Sequence, residues 1–235
     1  MAHGTGRDRT VKVRGFVTLL GLLLLAGCQH HRPWEAFEKC RGTLPEASRQ
    51  AVVVDREEAT PSAMAIRLYE RGNDGWQPLG EAIPAVAGRN GLAPVGEKRE
   101  GDGRTPSGVF ALERGFGYEQ FATKMPYIVL APEMIWIDDA RSDRYNTLTE
   151  KREGEGLSYE IMKRADDLYK YGIVVEYNTR AIVQGAGSAI FFHIWRSPAT
   201  PTAGCIAAAE PDMVRLLRWL DPAQHPLAVI GDACP

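Results

Sequence analysis

The sequence predicts a mainly β fold: one sandwich- or barrel-like domain with two or three short helices. Three observations predict it. Short segments rich in valine, isoleucine and aromatic residues recur between glycine- and proline-rich turns. Few stretches space their apolar residues as a helix does. The 235 residues, 44% of them hydrophobic, suffice for one sizeable core and show no internal repeat or low-complexity segment.

Taken in order, residues 1–27 read as a signal segment and 28–49 as a polar tether. A short helix over Trp34–Lys39 follows Pro33 in that tether. The folded domain then runs from 50 to 235. "AVVVD" at 51–55 and "MAIRLYER" at 64–71 are strands, with "GNDG" at 72–75 as a hairpin turn. "WQPLGEAIPAVAG" continues as a strand broken by prolines. Residues 91–112 form a glycine- and proline-dense loop that ends in a strand at Gly108–Leu112. "MPYIVLA" at 125–131 and "EMIWIDDA" at 133–140 are strands, and 141–156 is turn-rich. Ile161, Met162, Ala165, Leu168 and Tyr169 predict a helix over 158–171. "GIVVEYN" and "SAIFFHIW" are strands, 209–221 is a helix opened by Pro211 with Glu210 and Asp212 in its first turn, and "PLAVIG" closes the domain.

Arg7, Arg9, Lys12 and Arg14 precede an apolar run from Phe16 to Ala26, shorter than the roughly 20 residues that span a bilayer. That is the pattern of export. Leu25-Ala26-Gly27-Cys28 resembles a bacterial lipobox, which implies lipidation at Cys28; an ordinary signal peptide, with Cys28 incidental, is the alternative. Gln29 after the cysteine implies a periplasmic protein held by its lipid on the outer membrane. Without residues 1–27 the chain carries 24 basic and 29 acidic side chains, so nothing in its charge argues for nucleic acid.

In an oxidising compartment each cysteine needs an account. A Cys40–Cys234 disulfide would join the two ends of the domain, where termini often lie close together; two free thiols are the alternative. If the bridge forms, Cys205 is left unpaired. A metal site is not expected. The chain lacks CxxC and HExxH, His30 and His31 lie in the tether, and His225 lies beyond the last helix.

Cys205 follows His193 by twelve residues, across "RSPATPTAG". Strand alternation puts Phe191, His193 and Trp195 on one face and Ile190, Phe192 and Ile194 on the other. A chain reversal through the loop would bring Cys205 near His193, where an imidazole can take a thiol proton. Gly204 permits unusual backbone angles and close approach, and amides around Gly204 and Cys205 could bind an oxyanion. Two unrelated core residues joined by a loop would fit the same spacing.

"HIWRSPATPTAGCI" resembles the active-site signature of the YkuD-like L,D-transpeptidases, in which a strand histidine is followed by Ser/Thr-x-Gly-Cys; here that is Thr202-Ala203-Gly204-Cys205. "GDGRTPSGVF" and "GSAIFFHI" resemble two further segments of the family, and the likeness runs over roughly 50–232. The resemblance implies a β-rich catalytic domain acting on peptidoglycan stem peptides. Cys205 would attack the carbonyl between diaminopimelate and a terminal D-alanine, with His193 as base and the Gly204 and Cys205 amides at the oxyanion. A second stem-peptide amine would resolve the thioester into a cross-link, and no metal or nucleotide cofactor is implied. Many members carry histidine where Ala203 stands, and a cation shortly after the cysteine, where this chain has Ile206-Ala207-Ala208.

The candidate substrate contacts are Thr202, Arg196, Trp195, Tyr145 and Asn146. Thr202 could equally brace its loop, and Arg196 could be a solvated charge. Asp138, Asp139, Tyr145 and Asn146 form a polar cluster that would line a cleft, hold calcium or make a solvated turn. Two other functions compete. One is a hydrolase on the same scaffold, a carboxypeptidase or an amidase that frees a wall-linked protein; for a transferase, a wall-linked protein is a candidate acceptor. The other is a lipoprotein that binds the wall without catalysis.

Overall fold

The computed structural model describes residues 1–4, 34–57, 59–152 and 158–232. The chain divides into two units, residues 1–31 and 32–235. Of the first, only residues 1–4 are described; they are exposed and outside regular secondary structure. The apolar run after Arg14, Cys28 and Cys234 lie outside the described residues.

In the second unit, helix α1 (Trp34–Cys40) is followed by β1 (Gln50–Arg56), β2 (Ala63–Gly72), β3 (Gly75–Pro78) and β4 (Ile83–Val86). The long loop contributes β5 (Leu92–Ala93), β6 (Thr105–Pro106) and β7 (Gly108–Ala111). Then come β8 (Gly115–Gly117), β9 (Tyr127–Val129), β10 (Met134–Ile137), β11 (Leu148–Glu150) and β12 (Tyr159–Ile161). β13 (Tyr171–Val174), β14 (Phe191–Ile194), β15 (Ile206–Ala208), α2 (Glu210–Trp219) and β16 (Leu227–Ile230) complete it.

The fold is mainly β, as the sequence predicts. One sheet runs β7-β16-β1-β2-β4-β15-β14-β13-β8-β9, with β3 paired to β2; β10 pairs with β11 and β12, and β5 with β6. The large sheet curls around a core in which Val52, Val54, Ile66, Leu68, Phe192, Ile194 and Ile206 meet Met213, Leu216 and Leu217 of α2. Each fully buried leucine there contributes roughly 1.5–3 kcal/mol. The opposite face of β1 offers Ala51 and Val53, which α1 covers with Phe37 and Cys40. Burial on both faces explains why β1 reads as an unbroken apolar run rather than an alternation. Cys40 is disulfide-bonded, and Cys234, its expected partner, is among the residues not described.

The helix predicted over 158–171 does not form. Tyr159–Ile161 pairs with β10 instead, and the chain then bends back to β13. Local polar groups compete with the helix. The Arg164 N–H donates to the Tyr118 hydroxyl, Asp166 accepts from the Leu168 N–H, and Asp167 sits in the left-handed region at φ 58°. Met162 and Tyr169 are buried seven residues apart, a spacing that imitates two helical turns.

Candidate active site

The two strands at the heart of the site are parallel neighbours. Phe192 pairs with Ile206, His193 with Ala207 and Ile194 with Ala208. Continuing that register sets Cys205 beside Phe191, two positions from the level of His193 and on the same face. With strands ~4.8 Å apart and ~3.3 Å per residue, the two backbone positions are about 8 Å apart, a gap their side chains can span. The alternation predicted for the strand holds: Phe191 packs in one core with Cys205, while Phe192 and Ile194 enter the other.

His193 and Cys205 line a single cavity of about 430 Å³. Both are nearly enclosed, at 6% and 8% exposure. The His193 Nδ1 lies 2.8 Å from the Ile194 carbonyl. A carbonyl can only accept, so Nδ1 carries the proton and Nε2 is left as the basic nitrogen. The Tyr169 ring stands edge-on to the imidazole, with centroids 5.2 Å apart. Burial lowers the His193 pKa to about 4, with the Ile194 carbonyl acting in the opposite sense. Burial likewise pushes the Cys205 thiol up to about 12, against the pull of the Phe191 N–H. At neutral pH the dyad is therefore a neutral thiol beside a neutral imidazole. The thiol donates to the Ala189 carbonyl at 3.2 Å.

The loop before Cys205 is pinned by hydroxyls. Thr202 Oγ1 accepts from the Gly204 N–H at 3.1 Å and donates to the Cys205 carbonyl at 2.6 Å. Buried Thr105, from "RTPSG", reaches the same carbonyl at 3.3 Å while accepting from the Gly88 N–H. Thr202 thus braces the loop that carries Cys205. The Gly204 amide, expected at an oxyanion, is occupied instead by the Thr202 hydroxyl. Nor does Gly204 adopt a left-handed backbone. Space favours glycine there: a Cβ would lie 3.0 Å from the Arg104 carbonyl, a tight contact.

Trp195 and Arg196 reach the cavity with Thr202, but Tyr145 and Asn146 do not. Arg196 is paired with Asp166 at 2.7 Å. The buried Asn146 accepts from the Trp136 indole at 2.8 Å and from the Ala189 N–H at 3.0 Å, and gives its amide protons to the Tyr177 and Asn178 carbonyls. Tyr145 donates to Glu100 and accepts from the Gly187 N–H. These two residues hold the 187–189 segment, whose Ala189 carbonyl accepts a hydrogen bond from the Cys205 thiol. Neither lines the cavity, and their polar atoms are bonded within the protein.

Of the polar cluster expected to line a cleft, Asp138 reaches the cavity wall; Arg89, Lys98, Glu160, Arg164 and Tyr169 stand there as well, with no local signal in the sequence. Lys98 is only 4% exposed and is tied to Asp102 at 2.8 Å. It lies in a loop whose composition signals turns, and nothing periodic marks it as buried. Glu160, Arg164 and Tyr169 were concealed by the misread helix. Among the described residues, no group of three or more His, Cys, Asp and Glu side chains is arranged to hold a metal ion.

A family model, the YkuD L,D-transpeptidase catalytic domain, matches residues 49–229. No curated protein and no solved structure matches the chain.

Proposed function

Since the chain belongs to the YkuD L,D-transpeptidase family, whose members act on peptidoglycan stem peptides, we propose that it is a cysteine acyltransferase that cross-links those peptides. The observation that carries this reading is the pairing of β14 with β15, which brings a thiol and an oriented imidazole into one cavity. His193 Nε2 takes the Cys205 proton as sulfur bonds to the carbonyl between diaminopimelate and the terminal D-alanine. The Cys205 amide receives the developing oxyanion. Collapse expels D-alanine, whose amine leaves with the proton held by His193, and a thioester remains. An acceptor amine then attacks the thioester, His193 removes its proton, and the thiol is restored with a new amide bond. Because the ground state is neutral, proton transfer accompanies attack instead of preceding it.

We also propose export, lipid attachment at Cys28 on the outer membrane, and a Cys40–Cys234 bridge. Intact mass after exposure to a carbapenem tests the nucleophile: the expected adduct is one molecule per chain, lost in Cys205→Ala. Absence of an adduct on wild-type protein would overturn catalysis in favour of a wall-binding role. Products separate the remaining alternatives. Cross-linked dimers identify transfer, and shortened stems alone identify hydrolysis.

A further inference from the structure

Four cationic side chains line the cavity: Arg89, Lys98, Arg164 and Arg196. Three are committed. Lys98 is bonded to Asp102 and the Arg99 carbonyl, Arg164 to Asp166 and Glu160, and Arg196 to Asp166. Arg89 has no acidic or hydrogen-bonding side-chain partner among the described residues.

Its placement is nevertheless fixed. The Arg89 N–H donates to the Thr202 carbonyl at 2.9 Å, and Gly88 bridges to Thr202. Asn90 is bonded to Gly103 from the same turn. The guanidinium lies against Gly103, where a Cβ would stand 2.8 Å from its Cζ. Gly103 has φ 68°, so a side chain there is disfavoured by backbone as well as by space. The arginine is therefore seated in a glycine slot, in the turn bonded to the Cys205 loop, on the wall of the cavity and with no counter-ion among the described residues. The residues after Cys205, Ile206-Ala207-Ala208, bring no charge of their own.

We propose that Arg89 is a specificity residue that binds a carboxylate of the stem peptide presented to Cys205. This inference rests on the peptidoglycan reading above. A planar guanidinium suits this role because it can donate two parallel hydrogen bonds to one carboxylate. The stem peptide offers several carboxylates, and the test tells them apart.

Calorimetric titration of the Cys205→Ala protein with the tetrapeptide L-Ala-γ-D-Glu-diaminopimelate-D-Ala isolates binding from chemistry. Adding Arg89→Ala is expected to weaken Kd about tenfold or more, and Arg89→Lys to recover part of the loss. Peptides amidated singly at the D-alanine, the diaminopimelate or the glutamate carboxylate identify the group read. The relevant amide should bind the Arg89 protein weakly and lose no further affinity in Arg89→Ala. Gly103→Ala, which displaces the guanidinium, should weaken the free acid as well. Equal Kd values with and without Arg89, or no binding of the tetrapeptide, would overturn the inference. D-alanine release by wild-type protein is scored separately. If release is absent while Arg89-dependent binding persists, the transpeptidase reading falls and the carboxylate site stands.

Discussion

The Thr202 hydroxyl donates to the Cys205 carbonyl at 2.6 Å while accepting the Gly204 N–H at 3.1 Å. One side chain thereby closes the turn that aims the nucleophile. Thr202→Val keeps the shape and removes both bonds, at about 0.5–1.5 kcal/mol each. Acylation of Cys205 should slow about tenfold or more, with a melting-point loss of a few degrees. Thr202→Ser should stay within about threefold. Carbapenem acylation rates together with thermal melts check this, and a wild-type rate in the valine variant would remove the turn from the mechanism.

The neutral dyad has a pH signature. Acylation needs unprotonated His193, so its rate should rise through about pH 4 and then level, instead of rising through the ordinary histidine range. Alkylation of Cys205 by iodoacetamide needs thiolate. That rate should climb about tenfold per pH unit from 7 to 10, without the plateau an exposed cysteine shows near 8.5.

Stability follows the same group. The folded His193 pKa, about 4, lies below its unfolded value near 6.5, so protons favour the unfolded chain. Its contribution is complete above pH 6.5 and is lost as pH falls through 4, by roughly 3 kcal/mol in all. Buried Asp55, pushed up to about 7, gains stability over the same interval, so the drop is read as the difference between wild type and His193→Gln in urea unfolding at pH 7 and pH 4. That difference should change by about 3 kcal/mol between the two pH values, and an unchanged difference would show that His193 is not buried neutral.

Asn146 should behave as a structural clamp. Asn146→Ala strands the Trp136 indole and the Ala189 N–H, at about 1–3 kcal/mol for each buried group left unpaired. A melting-point fall of about 5–10 °C is expected, with kcat reduced because the carbonyl facing Cys205 is no longer held. A variant with unchanged melting but raised KM would restore Asn146 as a substrate contact.

Arg196→Ala should change donor KM by less than about twofold. Its charge is shared with Asp166, and its side chain is more than half exposed. Steady-state kinetics on the tetrapeptide measure it; a tenfold rise in KM would place Arg196 among the binding groups.

The parts of the site legible in the sequence were those with local signals. Valine runs gave β1, alternation gave the face of His193, and the acidic, proline-opened start gave α2. What escaped was set by distant partners. Lys98 is buried because 185–189 packs over it, and Glu100 is fixed by Tyr145 and Ser188, which follow 45 and 88 residues later. Residues 158–171 carry a helical apolar spacing, yet pairing with β10 and the bonds around Arg164 and Asp166 prevailed. Asn146 looked like a turn residue; its left-handed backbone at φ 57° agrees with that, while its inward-facing amide does not.

The parallel ladder between β14 and β15 has a consequence for insertions and deletions. His193 occupies a rung of this ladder and Cys205 directly precedes its first rung in β15, so their spacing is set by strand register together with the Thr202 turn. Lengthening the 196–201 stretch should be absorbed where the chain is exposed. One extra residue between Cys205 and Ile206 would instead turn the thiol to the far side of the sheet, against α2. Insertions in the 196–201 rim should thus leave the dyad in place, while the frame from Thr202 to Ala208 should tolerate no change of length.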